Sequence, residues 1–274
     1  MKKIVLAVLV LTHCIVHAQR KPKIKGNRSV IEVIQDLPDF NAVELNDDLA
    51  ITLSKSVTPG YVINADDNLI DILKFEVRDS TLVISSFYTI TAKKQLDITV
   101  NYRELESITL REGQIGMVDI INTDRLYVNT FGFSKLQLNA DASIMDLNME
   151  GNSSGDFNLD IDSLNITLKD KIKAEIYSVS EKNTVEARNN ASFRMEGTTD
   201  TLQIKLIGNT NARAEKLEAA TVIAGVEGSA NARFFAYKHF ELSSSGTAKT
   251  YLYGNPKITV SEFMGTSTLF KREE

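Results

Sequence analysis

Pairs of short apolar-x-apolar triplets return about every nineteen residues from residue 108 to residue 270. The first triplets lie at 108–110, 126–128, 147–149, 164–166, 183–185, 202–204, 220–222, 240–242 and 258–260. Companion triplets follow ten residues later in every repeat, at 118–120, 136–138, 157–159, 174–176, 193–195, 212–214, 230–232, 250–252 and 268–270. Alternation over three residues predicts a strand, and a fixed period of this length predicts one supersecondary unit stacked on copies of itself.

This repeat predicts an all-β fold, a β-solenoid of about nine coils. A single coil cannot bury its apolar side chains, so each coil must stack on the next and share a continuous interior. The late repeats carry small inward residues such as Ala212 and Ala232, so we expect the interior to narrow there or to be filled by Phe234 and Phe235.

The first eighteen residues have the pattern of a secretory signal peptide. Lys2 and Lys3 precede an apolar run, and Ala18 is the small residue before the expected cleavage. An alternative is lipidation at Cys14, but His13 is bulky where such a site needs a small residue. The apolar run is shorter than the ~20 residues that span a bilayer, so we predict an exported protein with no stable membrane span, located in the periplasm, on the outer membrane surface or outside the cell.

Composition after residue 18 excludes much chemistry. The remaining chain has 29 basic and 36 acidic residues, a formal charge of −7, no cysteine, and His239 as its one histidine. Thiol nucleophiles, thiolate metal sites and disulfides are therefore absent, and a Ser/His/Asp triad depends on His239 alone, which we expect at the surface or at a corner. The acidic balance and the lack of a basic-aromatic stripe argue against nucleic acid as a partner. No catalytic residue, cofactor site or metal site is predicted.

The chain divides into five segments. A signal peptide at 1–18 precedes an exposed basic tether at 19–37, an N-terminal β-rich cap at 38–104, the β-helix repeats at 105–270 and a charged tail at 271–274. Within the cap we predict strands at 42–45, 50–53, 61–64, 75–78, 81–85 and 96–100, and one helical turn capped by Asp66. A cap is needed because the edge of an exposed end coil is prone to aggregation.

The cap segment also carries a family resemblance. The stretches FNAVEL at 40–45, AITL at 50–53, YVINADDNL at 61–69 and FEVRDSTLVIS at 75–85 resemble the opening of the head GIN domain family of auto-transporter adhesin-like proteins, which are common in Bacteroidetes-type bacteria. The resemblance extends over roughly residues 38–262. It implies a right-handed single-stranded β-helix and an adhesin, and it carries no established catalytic residues.

The central residue of each triplet should point outward, because side chains alternate across a strand. The first-strand set is Thr109, Tyr127, Asn148, Asn165, Thr184, Gln203, Thr221, Glu241 and Thr259, nearly all of them uncharged. The second-strand set is Asp119, Gln137, Asn158, Glu175, Arg194, Arg213, Asn231, Tyr251 and Leu269, which mixes charges and is typical of solvated surface. We identify a candidate binding face in the first set, formed by Tyr127, Asn148, Asn165, Thr184, Gln203 and Thr221; the alternative is a stacked ladder that only stabilises the solenoid.

These features favour a non-enzymatic binding or adhesion protein that contacts a glycan or a surface protein through a flat polar β-face. Two alternatives stay open. One is a structural or assembly component of the cell envelope. The other is a polysaccharide lyase or hydrolase, for which Asp156, Asp160 and Asp162 are the nearest acid cluster, although they lack the spacing of a known calcium loop.

Overall fold

The computed structural model describes residues 21–273, which are built almost entirely from strands. The predicted signal peptide, with Cys14, lies outside the described residues. In chain order the strands are β1 (Lys23–Lys25), β2 (Val30–Asp36), β3 (Ala42–Leu45), β4 (Ala50–Lys55), β5 (Gly60–Asp66), β6 (Leu73–Arg78), β7 (Thr81–Ser86), β8 (Thr89–Ala92), β9 (Leu96–Tyr102), β10 (Ser107–Leu110), β11 (Gln114–Met117), β12 (Ile121–Thr130), β13 (Lys135–Gly151), β14 (Ser154–Asp170), β15 (Lys173–Asn189), β16 (Ser192–Gly208), β17 (Asn211–Gly228), β18 (Asn231–Gly246), β19 (Lys249–Tyr253), β20 (Lys257–Phe263) and β21 (Thr268–Lys271). The helix α1 (Asp67–Ile70) lies between β5 and β6. Within residues 21–273, no helix is both long enough and apolar enough to cross a membrane.

The predicted β-solenoid is confirmed by the strand pairing. Each long strand lies parallel to the next, and Ser154 of β14 pairs with Lys173 of β15, an offset of nineteen residues. The solenoid has about nine turns. A further coil precedes the predicted repeats, because β3 pairs in parallel with β10 and β4 pairs in parallel with β11. The predicted cap therefore contributes a coil of its own to the stack.

The core runs along the inside of the stack, and β14 shows how one strand lines it. Phe157, Leu159 and Ile161 are buried at alternate positions, and burial resumes at Leu164. Two consecutive outward residues, Asp162 and Ser163, shift the alternation by one position. This shift marks a corner, so the part of the strand before it and the part after it form different outer faces around one interior.

The phase of the triplets differs from the prediction in the first, third, seventh and last repeats. The first companion is Ile115 to Met117, since Ile115 pairs with Leu136, and Val118 is 84% exposed. In the third repeat Met145 pairs with Leu164, so the inward residues begin at Met145. In the seventh, Leu202 pairs with Val222, so the triplet starts two residues later than predicted.

Two differences concern the late coils. Leu269, predicted outward, pairs with Thr250 in an inward row. Phe234 is fully buried against Phe240, with ring centroids 6.1 Å apart, and fills the interior as predicted. Phe235 points outward instead, because it lies between the buried Phe234 and Ala236.

The N-terminal segment covers one end of the stack. β7 pairs in parallel with β3, and β9 pairs in parallel with β4, so both lie on the first coil. β5 then pairs antiparallel with β9, and β2 pairs antiparallel with β5 along its whole length. The prediction of an exposed tether is therefore wrong for β1 and β2, which are ordered strands, although most β2 side chains face solvent. All six predicted cap strands are present, but Asp66 makes no side-chain cap bond to α1.

The other end of the stack carries exposed apolar side chains. β20 pairs with β18 and β21 pairs with β19, and within residues 21–273 neither has a partner on its other side. Ile258, Val260 and Phe263 are between 43% and 47% exposed. The last coil is therefore held by the stack on one side only.

Candidate binding face

The candidate residues lie on the outer face formed by the C-terminal halves of β12 to β18 and by β20, which we call the first face. Its central row is set by the strand register and consists of Tyr127, Asp146, Asn165, Thr184, Gln203, Ile223, Glu241 and Thr259. A flanking row lies two residues further along each strand and consists of Asn129, Asn148, Thr167, Glu186, Lys205, Gly225 and Ser243. Adjacent residues in a row are about 4.8 Å apart, because their strands are hydrogen-bonded neighbours.

The six predicted residues share this face but not one row. Tyr127, Asn165, Thr184 and Gln203 lie in the central row. Asn148 lies in the flanking row instead, beside Asn129 and Thr167. Thr221 lies two residues before Ile223, beside Thr201 and His239. The two misplaced residues belong to repeats in which the triplet phase differs from the prediction.

Side chains on the early half of the first face bond to one another. The Asn165 amide donates to the Asp146 carboxylate at 2.9 Å, and the Asn148 amide donates to the Asn129 side-chain oxygen at 3.2 Å. The Arg125 guanidinium lies 5.4 Å from the centre of the Tyr127 ring and 3.6 Å from the Asp146 carboxylate. These donors and acceptors already have partners, so this half has the character of a stabilising ladder.

A shallow groove of about 390 Å³ lies on the later half of the first face. Its lining includes Thr184 and Gln203 from the predicted set, together with Ile223, Gly225 and Glu241. Ile223 is 40% exposed and adds an apolar side chain to the lining. Polar groups beside an exposed apolar side chain are typical of a ligand-binding surface.

Gly225 creates this groove because it interrupts the flanking row of side chains. Its φ lies outside the left-handed region, and a Cβ added there meets only Lys205 Cγ, at 3.9 Å. The backbone therefore does not require glycine at this position. A glycine within a strand often marks a place where another molecule approaches closely.

The charged groups beside the groove are partly paired. Lys205 Nζ lies 3.5 Å from a Glu227 carboxylate oxygen, and Glu186 pairs with Arg188. Glu241 has no ion pair among residues 21–273 and is exposed in the central row. The groove thus combines an unpaired carboxylate with hydroxyl and amide groups.

Sequence reasoning missed Ile223 and Gly225. The stretch 220–226 has apolar residues at both alternating phases, so two triplets fit equally well and the outward one cannot be chosen from hydrophobicity. The available signal was Gly225 itself, because it stands inside a strand and away from the glycine-bearing corners.

The acid cluster considered for catalysis is spread out in the structure. Asp156 and Asp160 are exposed on the same face of β14, four residues apart, which corresponds to about 13 Å along a strand. Asp162 lies at the corner. Among residues 21–273 no group of three or more His, Cys, Asp or Glu side chains is placed to hold a metal ion.

The comparison with known families agrees with the β-solenoid fold. The family described as "Putative auto-transporter adhesin, head GIN domain" matches residues 39–256. The chain belongs to this family. The head GIN assignment made from the cap segment is therefore confirmed. Among curated proteins, no sequence matches this chain.

Solved structures show the same fold at low sequence identity. A putative adhesin from Parabacteroides merdae ATCC 43184 is 16% identical, with a TM-score of 0.65 over 92% of this chain and 99% of that chain. A putative adhesin from Parabacteroides distasonis ATCC 8503 is 14% identical, with a TM-score of 0.64 over 91% and 100%. A putative lipid binding protein from the same organism is 18% identical, with a TM-score of 0.64 over 91% and 99%.

Proposed function

We propose that this member of the head GIN family is an exported, non-enzymatic adhesion module that binds a glycan or a surface protein in the groove at Gly225. The observation that carries the proposal is a strand glycine that the backbone does not require, placed where it opens a groove beside Ile223 and Gln203. Sugar hydroxyls and peptide groups both need paired donors and acceptors beside a small apolar surface, and the groove supplies these.

The spacing of Asp156 and Asp160 argues against glycoside hydrolysis by these two residues together. Glycoside hydrolysis uses two carboxyl groups about 5 to 9.5 Å apart across the scissile bond. Asp156 and Asp160 are four residues apart on one strand, which corresponds to a separation of about 13 Å and exceeds this range. The alternative of a polysaccharide lyase or hydrolase therefore has no paired acids in this cluster.

A structural or assembly role in the cell envelope is the second candidate function. It is favoured by the early half of the first face, where Asn165 and Asp146 bond to each other. A ladder of that kind stabilises the stack without any ligand. The two candidates differ in what they require of Gly225, because a purely structural protein does not need the groove.

Filling the groove tests the proposal. The purified protein is labelled and applied to an array of glycans and host-matrix proteins, and Gly225→Gln is compared with the unchanged chain. Because the added side chain occupies the groove without backbone strain, we expect binding to fall at least about tenfold while the melting temperature stays within a few degrees.

The matched control is Gly116→Gln. Gly116 lies on β11, its φ is ordinary, and an added Cβ meets no atom within 4 Å. This variant should retain full binding. Equal binding by Gly225→Gln and the unchanged chain would contradict the groove, and the absence of any ligand on the array would favour the structural role.

A further inference from the structure

A row of arginines lies on the outer face formed by the N-terminal halves of β14 to β18 and by β19 and β21, which we call the second face. The strand register places Arg194, Arg213 and Arg233 side by side, and Tyr251 and Phe270 continue the row. The repeat count alone predicts Asn231 in this row, which would interrupt the run of cations. We call Arg194, Arg213 and Arg233 the arginine row.

Three guanidinium groups on neighbouring strands repel one another unless anions lie between them. Side chains in such a row are about 4.8 Å apart, and like charges on neighbouring strands are destabilising. Arg194 Nη1 lies 3.5 Å from Glu175, and Arg233 Nη1 lies 3.3 Å from Glu215. Arg213 is exposed, and it has no ion pair or side-chain hydrogen bond among residues 21–273. The middle arginine therefore lacks a counter-ion.

The surroundings of the arginine row add cations and hydrogen-bond donors. The adjacent outward row runs Lys173, Ser192, Asn211, Asn231 and Lys249. A second shallow groove of about 340 Å³ is lined by residues that include Lys173, Ser192, Arg194 and Arg213, together with Glu175, the ion-pair partner of Arg194. The lysine, serine and unpaired arginine donors of this groove match the acceptors of an anionic group.

The far end of the row is held in place by aromatic rings. Tyr251 and Phe270 are stacked with their centroids 5.0 Å apart, and Arg233 lies 5.9 Å from the centre of the Tyr251 ring. Arg272 lies 5.3 Å from the Tyr251 ring centre and 5.5 Å from that of Phe270. Cation–π contacts of this kind fix guanidinium groups while leaving their N–H groups available to a ligand.

We propose that the arginine row is a binding site for the sulfate or carboxylate groups of an anionic glycan, with Arg213 at its centre. A guanidinium presents a planar fork of donors that binds such a group through two parallel hydrogen bonds. An anion between Arg213 and its neighbours also removes the repulsion within the row. This site is separate from the groove at Gly225 and does not depend on the function proposed for that groove.

The test measures retention of the full chain on a sulfated polysaccharide, on a carboxylated polysaccharide and on neutral dextran. We expect binding to one or both charged polymers and none to dextran, with affinity falling as salt is raised. The two charged polymers distinguish sulfate from carboxylate as the preferred group. Arg213→Gln should weaken binding about tenfold, the effect of losing a charge-assisted pair of hydrogen bonds.

Two further variants separate a built site from general attraction. Arg213→Lys keeps the charge but loses the fork, so its binding should fall between those of the unchanged chain and Arg213→Gln. Arg78→Gln removes an exposed, ion-paired arginine from β6 and should leave binding intact. The proposal is overturned if Arg213→Gln binds normally, if Arg78→Gln is equally impaired, or if single-stranded DNA binds as tightly through the same arginine.

Discussion

Tyr102 shows how a single buried group gives this protein a pH dependence. Its side chain is 1% exposed, and among residues 21–273 its hydroxyl has no hydrogen-bond partner. Burial, together with the nearby Asp119 carboxylate, raises the pKa of Tyr102 to about 12 from the ordinary value of 10. Asp119 is fixed in place because it accepts a hydrogen bond from the Lys55 backbone N–H at 2.8 Å.

Replacing this hydroxyl tests its effect on stability. In the unfolded chain Tyr102 ionises near pH 10, whereas in the folded protein it stays protonated until about pH 12. The unfolded state therefore loses its proton first, and stability falls as pH rises through this window. Tyr102→Phe should be at least as stable as the unchanged chain at pH 7. Between pH 10 and 12 the unchanged chain should lose about 1 to 2 kcal/mol more unfolding free energy than Tyr102→Phe does.

Urea unfolding at pH 7, 10 and 12 provides the measurement. The control is Tyr177→Phe, which removes the hydroxyl of a tyrosine that is 51% exposed. If Tyr102→Phe shows the same pH profile as the unchanged chain, burial of Tyr102 does not contribute to the pH dependence of stability.

At the scale of one element, the sharp corner of each coil depends on a stacked column of residues with positive φ. The column consists of Gly132, Gly151, Asp170, Asn189, Gly208, Gly228, Gly246 and Gly265. Asp170 and Asn189 occupy it without being glycine, and the Asn189 amide donates to the Asp170 carboxylate at 2.6 Å. Side chains are tolerated there because Asp and Asn adopt this conformation more readily than other residues do.

Alanine substitutions at Gly246 and Gly225, on neighbouring coils, distinguish a glycine required by the backbone from one that only leaves space. Gly246 has φ +82°, and a Cβ added there lies 2.6 Å from the Gly228 carbonyl oxygen, so Gly246→Ala should lower the unfolding free energy by about 1 to 3 kcal/mol. Gly225→Ala has ordinary φ and open space, so it should leave stability unchanged or raise it by about 0.5 kcal/mol. Chemical denaturation of both variants decides between these expectations, and equal losses would show that the flanking row needs glycine for its backbone.

The repeat length could be predicted from the sequence more reliably than the pairing of individual residues between neighbouring strands. Five or more residues often alternate in one coil, as at Met145, Leu147 and Met149, and any triplet among them satisfies the pattern. The register also shifts between Arg194 and Glu196, where β17 gains a residue, so a fixed nineteen-residue count places later residues wrongly. The arginine row and the groove at Gly225 both depend on that register, which is set by backbone pairing and not by hydrophobicity.

The N-terminal strand β2 was missed for a different reason. It lies at the edge of the sheet with most of its side chains exposed, so burial imposes no alternation on its sequence. The cap strands packed on the first coil, such as β7 and β9, do alternate and were predicted within a few residues of their ends. Hydrophobic patterning identifies a strand only where one of its faces is buried.

At the scale of the whole molecule, the two ends of the stack differ. The N-terminal coil is covered by β7 and β9, whereas β20 and β21 pair on one side only within the described residues. In a linear array each coil is stabilised by its neighbours, so a coil with one neighbour is held less strongly than a coil with two. Opening should therefore begin at the C-terminal coil.

Amide hydrogen exchange followed by mass spectrometry tests this asymmetry. We expect the slowest exchange in the central strands β14 to β16, slow exchange in β3 and β4 beneath the cap, and the fastest exchange within the stack in β20 and β21. A matched variant, Leu164→Ala, removes a fully buried side chain from the middle of the stack and should lower the unfolding free energy by about 2 to 5 kcal/mol while preserving the order of exchange. If β20 exchanges as slowly as β15 and becomes faster on dilution, its open edge is covered by another copy of the chain in solution.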